Sequence, residues 1–212
     1  MKLMGMAFLA IVCFAGSPTR SPQLAPITLF TQYGEPVPAA ILEPLREEVV
    51  SILAPVGFRF EWRDLATTQA VGSAVELAVI TFRGNCTVPN MPVRTLGNAP
   101  AQALGFTSVT DGEVLPFATV DCERTRTFLS NAMLHLALQD RPAAFGRALG
   151  RILAHELFHI FAKTQTHGHA GVAKESYSVG DLLAVEFELD ERECELLRAS
   201  PAYNVLTLGF TR

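Results

Sequence analysis

Residues 142–162 form the segment that most constrains how this chain can fold. The segment is long and strongly apolar, and its hydrophobic residues recur at the spacing of a helix face. Pro142 suits a helix start, because its missing N–H group is not needed in a first turn. We therefore expect one long helix with much of its surface buried. Its apolar residues include Leu149, Ile152, Leu153, Leu157, Phe158, Ile160 and Phe161.

The rest of the chain alternates between strand and helix patterns. Residues 85–100 carry Gly, Asn and Pro without periodicity, and they predict a long surface loop. The patterns predict strands at residues 27–32, 58–63 and 74–82, and further helices at residues 41–53, at 128–138 and from 178 or 181 to 197.

The tripeptide Thr110-Asp111-Gly112 predicts a β-hairpin that joins strands at residues 103–109 and 113–120. Pro116 has no N–H group for a sheet ladder, so we expect the second hairpin strand to lie at a sheet edge. This order of elements indicates an α+β fold.

Composition and charge limit the class of protein. With 212 residues, 49% of them hydrophobic and 18% charged, the chain is globular rather than disordered. We assign residues 27–212 to a single domain. The net charge is −4 and no basic block is present, so we expect no nucleic acid partner.

The N-terminal residues have the pattern of an export signal. Lys2 precedes an uncharged apolar run over residues 4–14, which small residues such as Ala15 follow. We expect residues 1–16 to be a cleaved signal peptide and 17–26 a leader, with the protein secreted or periplasmic. The alternative is an uncleaved anchor, for which the run is slightly short. After cleavage we expect no stable membrane insertion.

Cleavage would leave three cysteines in a compartment where disulfides persist. Cys86 follows one predicted strand and Cys122 ends another, so a shared sheet would bring both to the same end. We favour a Cys86–Cys122 disulfide with Cys194 free. The other two pairings, or three free thiols, stay open.

The predicted long helix contains the sequence His155-Glu156-Leu157-Phe158-His159. Residues four apart lie one above the other on a helix, so His155 and His159 can bind one Zn²⁺ ion. Glu156 lies about a quarter turn around the helix, where it can reach a zinc-bound water as a general base without being a ligand. His135 is expected to be an ordinary helix histidine.

A catalytic zinc site needs a third protein ligand. A continuous helix would carry His167 about 12 Å beyond His159, so the chain must turn back after about Lys163. We favour His167 over His169 as the ligand, because Gly168 can turn the chain away just after it. A downstream acid such as Glu186 or Glu188 is the third alternative.

Residues 155–171 resemble the active-site segment of the zincin metallopeptidases, and the order of elements resembles the metzincin branch. The resemblance implies a zincin-like mixed twisted sheet with an edge hairpin, packed on a backing helix and a long active-site helix. It also implies His155 and His159 as ligands, Glu156 as general base and acid, and a later histidine as third ligand. The sequence departs from metzincins at Ala162 and Gln165, and no methionine follows Met133.

These features predict an exported zinc endopeptidase that hydrolyses peptide bonds by a Glu156-activated zinc-bound water. The strand at residues 103–109 is a candidate edge for an extended peptide or protein substrate. Tyr177 is either a second donor to the oxyanion or an ordinary packing or surface residue. The alternative function is a non-catalytic exported scaffold whose zinc has four protein ligands, with His167 and His169 both bound.

Overall fold

The structure is a computed structural model that describes residues 24–68, 74–88 and 103–208. The predicted signal peptide, most of the leader and most of the loop predicted at 85–100 lie outside the described residues. No helix within the described ranges is long and apolar enough to cross a membrane.

The described chain forms five strands and six α-helices. The strands are β1 (Ile27–Tyr33), β2 (Phe60–Asp64), β3 (Glu76–Arg83), β4 (Gly105–Thr110) and β5 (Glu113–Asp121). The helices are α1 (Ala39–Leu53), α2 (Cys122–Met133), α3 (Arg141–Ala162), α4 (Val179–Leu183), α5 (Glu191–Arg198) and α6 (Pro201–Leu208).

The strands form one mixed sheet in the order β2-β1-β3-β5-β4. Every neighbouring pair is parallel except β4 and β5, which form the predicted hairpin at the sheet edge. Asp111 and Gly112 both have positive φ, as a tight hairpin turn with the Asp-Gly sequence requires. The α+β prediction, with its mixed sheet and edge hairpin, is confirmed.

The expectation that Pro116 puts its own strand at the edge is wrong. The edge strand is β4, and β5 lies between β4 and β3. Pro116 is tolerated there because the register of β4 and β5 shifts between Thr107 and Val109, and pairing with β3 begins only at Phe117. The missing N–H group therefore falls at an irregularity of the ladder.

The backing helix α1 packs directly against α3, which is the long helix that the sequence predicts. Gly146 and Gly150 of α3 permit this approach, because a Cβ atom on Gly146 would lie 2.3 Å from the carbonyl oxygen of Ile41. A Cβ atom on Gly150 would lie 2.7 Å from the carbonyl oxygen of Leu45. The two glycines thus set how closely the helices pack.

Two helix predictions need correction. The helix predicted at 128–138 begins earlier, because Asp121 accepts a hydrogen bond from the N–H of Arg124 and caps the first turn. It also ends earlier, at Met133. The single helix predicted to end at Leu197 is two helices, α4 and α5. Each begins with its own capping box, at Ser178 and at Asp190.

The favoured disulfide is confirmed. Cys86 and Cys122 are bonded, and they join the segment after β3 to the start of α2. Cys194 is a free, buried cysteine. The disulfide thereby anchors the first residue of α2 to the central part of the sheet.

Candidate metal centre

Helix α3 is buried along most of its length, and this burial fixes the position of both histidines of the predicted motif. His155 is 9% exposed and His159 is 6% exposed. The helix ends at Ala162, and the next residue, Lys163, adopts a left-handed conformation and donates its N–H to the carbonyl of His159. The chain therefore turns back where the sequence requires it to.

The two imidazoles face each other through their Nε2 atoms, which are 3.0 Å apart. Nδ1 of His155 lies 2.8 Å from the carbonyl oxygen of Val172, and Nδ1 of His159 lies 2.7 Å from that of Thr164. A carbonyl can only accept a hydrogen bond, so in both neutral rings the proton is on Nδ1. Each Nε2 therefore presents a lone pair to the other.

The return loop brings His167 to the same place. Ligand atoms of His155, His159 and His167 all lie within 4.8 Å of one another. The His167 ring centroid is 5.2 Å from that of His155 and 4.8 Å from that of His159. Among the described residues, neither His169 nor Glu186 belongs to this group.

The donor set fits a zinc ion. Zinc in proteins takes imidazole nitrogens at about 2.0–2.1 Å, which places two ligand atoms of a tetrahedral site about 3.3 Å apart. The Nε2 pair at 3.0 Å is already close to that separation. Two lone pairs aimed at each other repel, so a cation between them would relieve this contact. The backbone carbonyls behind both rings are the outer partners that zinc-binding histidines ordinarily have.

Burial sets the protonation of these groups. It lowers the pKa of His155 to about 4, with a further contribution from the nearby His159. Burial also lowers the pKa of His159. Both rings are therefore neutral near pH 7, which is the form that binds a metal.

Glu156 is held by the edge strand. Thr107 of β4 donates its hydroxyl to Oε2 of Glu156 at 2.7 Å. Gly105 lies so close that a Cβ atom there would be 2.8 Å from Oε1 of Glu156. Burial raises the pKa of Glu156 to about 7, although the Thr107 hydrogen bond lowers it. A carboxyl with such a pKa can both accept and return a proton near neutral pH.

A cleft of about 950 Å³ contains the histidine cluster and Glu156. Strand β4 forms one wall, with Phe106 and Val109 among its lining residues. Helix α2 contributes Phe128, and the segment after the return loop contributes residues 174–177. The outer edge of β4 has no partner strand among the described residues, and residues of this strand line the cleft.

Tyr177 lines the cleft, and its hydroxyl contacts the backbone and the ring of a candidate ligand. Its hydroxyl donates to the carbonyl oxygen of Val172 and lies 3.1 Å from Nδ1 of His155. The hydroxyl is therefore on the side of the His155 ring away from Nε2. Tyr177 therefore packs against a candidate ligand.

Three residues that hold the site or the elements around it were not predicted from the sequence. Thr107 gave no signal. Arg151 is a charged residue inside an apolar helix, and it binds Glu48 at 2.6 Å and the carbonyls of residues 181 and 184. Glu193 stands in a capping-box pattern with Asp190, which is readable from the sequence. What that pattern does not show is that Glu193 also binds the loop behind His155.

No protein-family model and no curated protein sequence matches the chain. Among solved structures, it is similar to archaemetzincin from Methanopyrus kandleri, with 16% identity and a TM-score of 0.45. The match covers 85% of this chain and 97% of the archaemetzincin chain. The histidine cluster is compatible with the zincin resemblance of the sequence.

Proposed function

We propose that this protein is a zinc-dependent endopeptidase. Zn²⁺ would be held by His155, His159 and His167, and when bound it would supply a Lewis acid and a water molecule that ionises near neutral pH. The observation that carries the proposal is the group of three imidazoles beside the buried carboxyl of Glu156 in one cleft.

The number of histidines supports a catalytic site over a structural one. Structural zinc sites are closed by four protein ligands, whereas catalytic sites have three and keep one position open. The described residues offer three candidate ligands in this group, and His169 lies outside it. The scaffold alternative, which needs His167 and His169 together, is therefore not favoured.

Glu156 is proposed as the general base and acid. Its carboxylate would take a proton from the attacking water and return it to the leaving amine. The Thr107 hydroxyl holds Oε2 at 2.7 Å, and this leaves Oε1 for the proton transfer. A purely structural metal site has no need of such a carboxyl.

The cleft is suited to an extended peptide. An edge strand binds a peptide by adding it to the sheet, since its outer N–H and C=O groups are unpaired. β4 borders the cleft, and Thr107 of this strand contacts Glu156 directly. A peptide paired with β4 would therefore pass close to the carboxyl that is proposed to act on it.

We also propose that the protein is exported. The Cys86–Cys122 disulfide fits an oxidising compartment, and disulfides of this kind are rare in the reducing cytosol. Edman or mass-spectrometric sequencing of the secreted form should find a new N-terminus near residue 16 or 17. Retention of residues 1–16 in the mature protein would refute cleavage.

The experiment that tests the function is a peptide-library digest by the wild type and Glu156→Gln, with matched zinc content. Gln keeps the size of the side chain but cannot accept the proton, so we expect a loss of about 10²-fold or more in the cleavage rate. The control is Glu186→Gln, because Glu186 is exposed and outside the histidine group. It should keep both zinc and rate. Equal cleavage by wild type and Glu156→Gln would remove Glu156 from the mechanism, and no cleavage by the wild type would refute the endopeptidase.

A further inference from the structure

Glu193 is a buried carboxyl whose role is not explained by its own helix. It is 4% exposed and lies in the first turn of α5. Oε2 accepts the N–H of Asp190 at 2.7 Å, which completes the capping box. The same oxygen accepts the N–H of Val172 at 3.1 Å, and Oε1 accepts the N–H of Ala173. A helix cap needs only the first of these contacts.

The peptide group between Val172 and Ala173 connects this carboxyl to the metal centre. Its N–H, on Ala173, binds Oε1 of Glu193. Its carbonyl, on Val172, lies 2.8 Å from Nδ1 of His155. A hydrogen bond to a negative charge at one end of a peptide group polarises it and makes its carbonyl a stronger acceptor. One peptide group thus connects the carboxyl of Glu193 to the ring of His155.

The backbone before this peptide group leaves space for the carboxyl. Gly171 has a φ of +73°, and a Cβ atom there would lie 2.4 Å from Oε2 of Glu193. Only glycine fits both the conformation and the contact. The loop is therefore shaped around Glu193, and Tyr177 donates a further hydrogen bond to the carbonyl of Val172.

We propose that Glu193 is a positioning residue for the metal ligand His155. Zinc-binding histidines often donate directly to a carboxylate, which fixes the ring and makes it a better ligand. Here the carboxylate acts through an intervening peptide group, so that α5 and the active-site helix α3 share one hydrogen-bond chain. The inference rests on the proposed zinc site, because without a bound ion His155 has no ligand role.

The test compares zinc affinity in the wild type, Glu193→Gln and Glu191→Gln, measured by competition with a chromophoric chelator. Gln keeps the size of Glu193 but removes the charge and one acceptor. Loss of an outer partner costs about 10–100-fold in metal affinity, and we expect a loss in that range for Glu193→Gln. Glu191 lies on the same helix turn and is exposed, so its replacement removes the same charge without touching the loop. Its zinc affinity should stay within about twofold of the wild type.

A urea titration of the metal-free proteins separates positioning from general stability. A positioning role lowers zinc affinity in a variant whose metal-free form is still folded. Unchanged affinity in Glu193→Gln, or an equal loss in both variants, would overturn the inference while leaving the zinc site in place. Failure of the wild type to bind zinc would instead reject the proposed metal centre itself.

A second measurement uses only the wild type, so that it holds even if Glu193→Gln does not fold. Zinc binding makes the Nδ1–H of His155 a stronger donor, and this change should pass along the chain of hydrogen bonds to the N–H of Ala173. We expect the amide proton resonance of Ala173 to move on zinc addition more than that of Asp190. The N–H of Asp190 binds the same carboxylate but is not part of the hydrogen-bond path to His155. An Ala173 resonance that does not move would overturn the inference.

Discussion

Among single residues, the most informative contact is that between Nε2 of His155 and Nε2 of His159, which lie 3.0 Å apart. In both rings the proton is on Nδ1, which faces a backbone carbonyl. The packing of an ordinary helix does not require the lone pairs of two Nε2 atoms to point at each other. A shared cation gives both a partner, and His167 supplies a third nitrogen nearby. The metal site is therefore inferred from the hydrogen bonds behind the rings as much as from the spacing of the motif.

The third ligand is testable by substitution. His167→Ala should lower zinc affinity by more than about 100-fold, because loss of even an outer partner costs about 10–100-fold. His169→Ala is the matched control, since it lies two residues away on the same loop but outside the histidine group. Both side chains are exposed, so neither change should unfold the protein. A larger loss of affinity in His169→Ala would transfer the ligand role to that residue.

The raised pKa of Glu156 predicts a pH-dependent difference in stability for the metal-free protein. Its folded pKa is about 7 against an ordinary 4.5, so folding favours the protonated form. Below pH 4.5 the carboxyl is protonated in both the folded and the unfolded protein, so it does not lower the free energy of unfolding. As pH rises from 4.5 to 7, the unfolded chain releases the proton while the folded protein keeps it. The free energy of unfolding therefore falls over this range and becomes constant above pH 7.

Glu156→Gln removes this pH-dependent loss of stability, because Gln does not ionise. Its advantage over the wild type should therefore grow from pH 4.5 to 8, reaching at most about 3 kcal/mol in the free energy of unfolding. Urea titrations with a chelator present measure it, and the histidines contribute equally to both proteins. A constant difference across this pH range would mean that Glu156 has an ordinary pKa.

Much of the site could be predicted from the sequence, and the limits have physical reasons. The spacing of His155 and His159 places them together because helix geometry is fixed, and the glycine after His167 favoured that residue over His169. Contacts between distant segments have no such rule. Thr107 and Glu193 reach the site through the sheet edge and a C-terminal helix, so only the fold brings them there.

At the scale of elements, α3 and α1 approach so closely that glycine is required between them. Gly146→Ala would place a methyl group 2.3 Å from a backbone carbonyl, and neither helix can yield without repacking. We expect a loss of about 1–3 kcal/mol in the free energy of unfolding, despite the better helix propensity of Ala. The control is Gly34→Ala, which meets nothing within 4 Å and should change stability by no more than about 0.5 kcal/mol. Equal stability of the two variants would show that the helices are not in this contact.

The long helix and the hairpin were readable from the sequence because periodicity and the Asp-Gly turn are local signals. The errors came from helix ends and from sheet order. Caps at Asp121, Ser178 and Asp190 decide where three helices begin. The position of β5 inside the sheet depends on pairing with β3, which no local pattern around Pro116 reveals.

At the scale of the whole molecule, the site is assembled from parts that are far apart in the chain. The edge strand holds Glu156, the return loop carries His167, and α5 holds the peptide group behind His155. Arg151 ties α3 to α1, to α4 and to the residue that follows α4. Helices α1, α3 and α5 share one hydrophobic core, and the candidate metal centre faces the cleft beside them.

We propose that this centre holds zinc with three protein ligands and one open position. A crystal structure of the zinc-loaded protein would show the ligands of the ion. We predict one ion bound by imidazole nitrogens of His155, His159 and His167 at about 2.0–2.1 Å, with a water molecule or another non-protein group as the remaining ligand. A fourth protein ligand such as His169 or Glu186, or zinc bound away from these three histidines, would contradict the account.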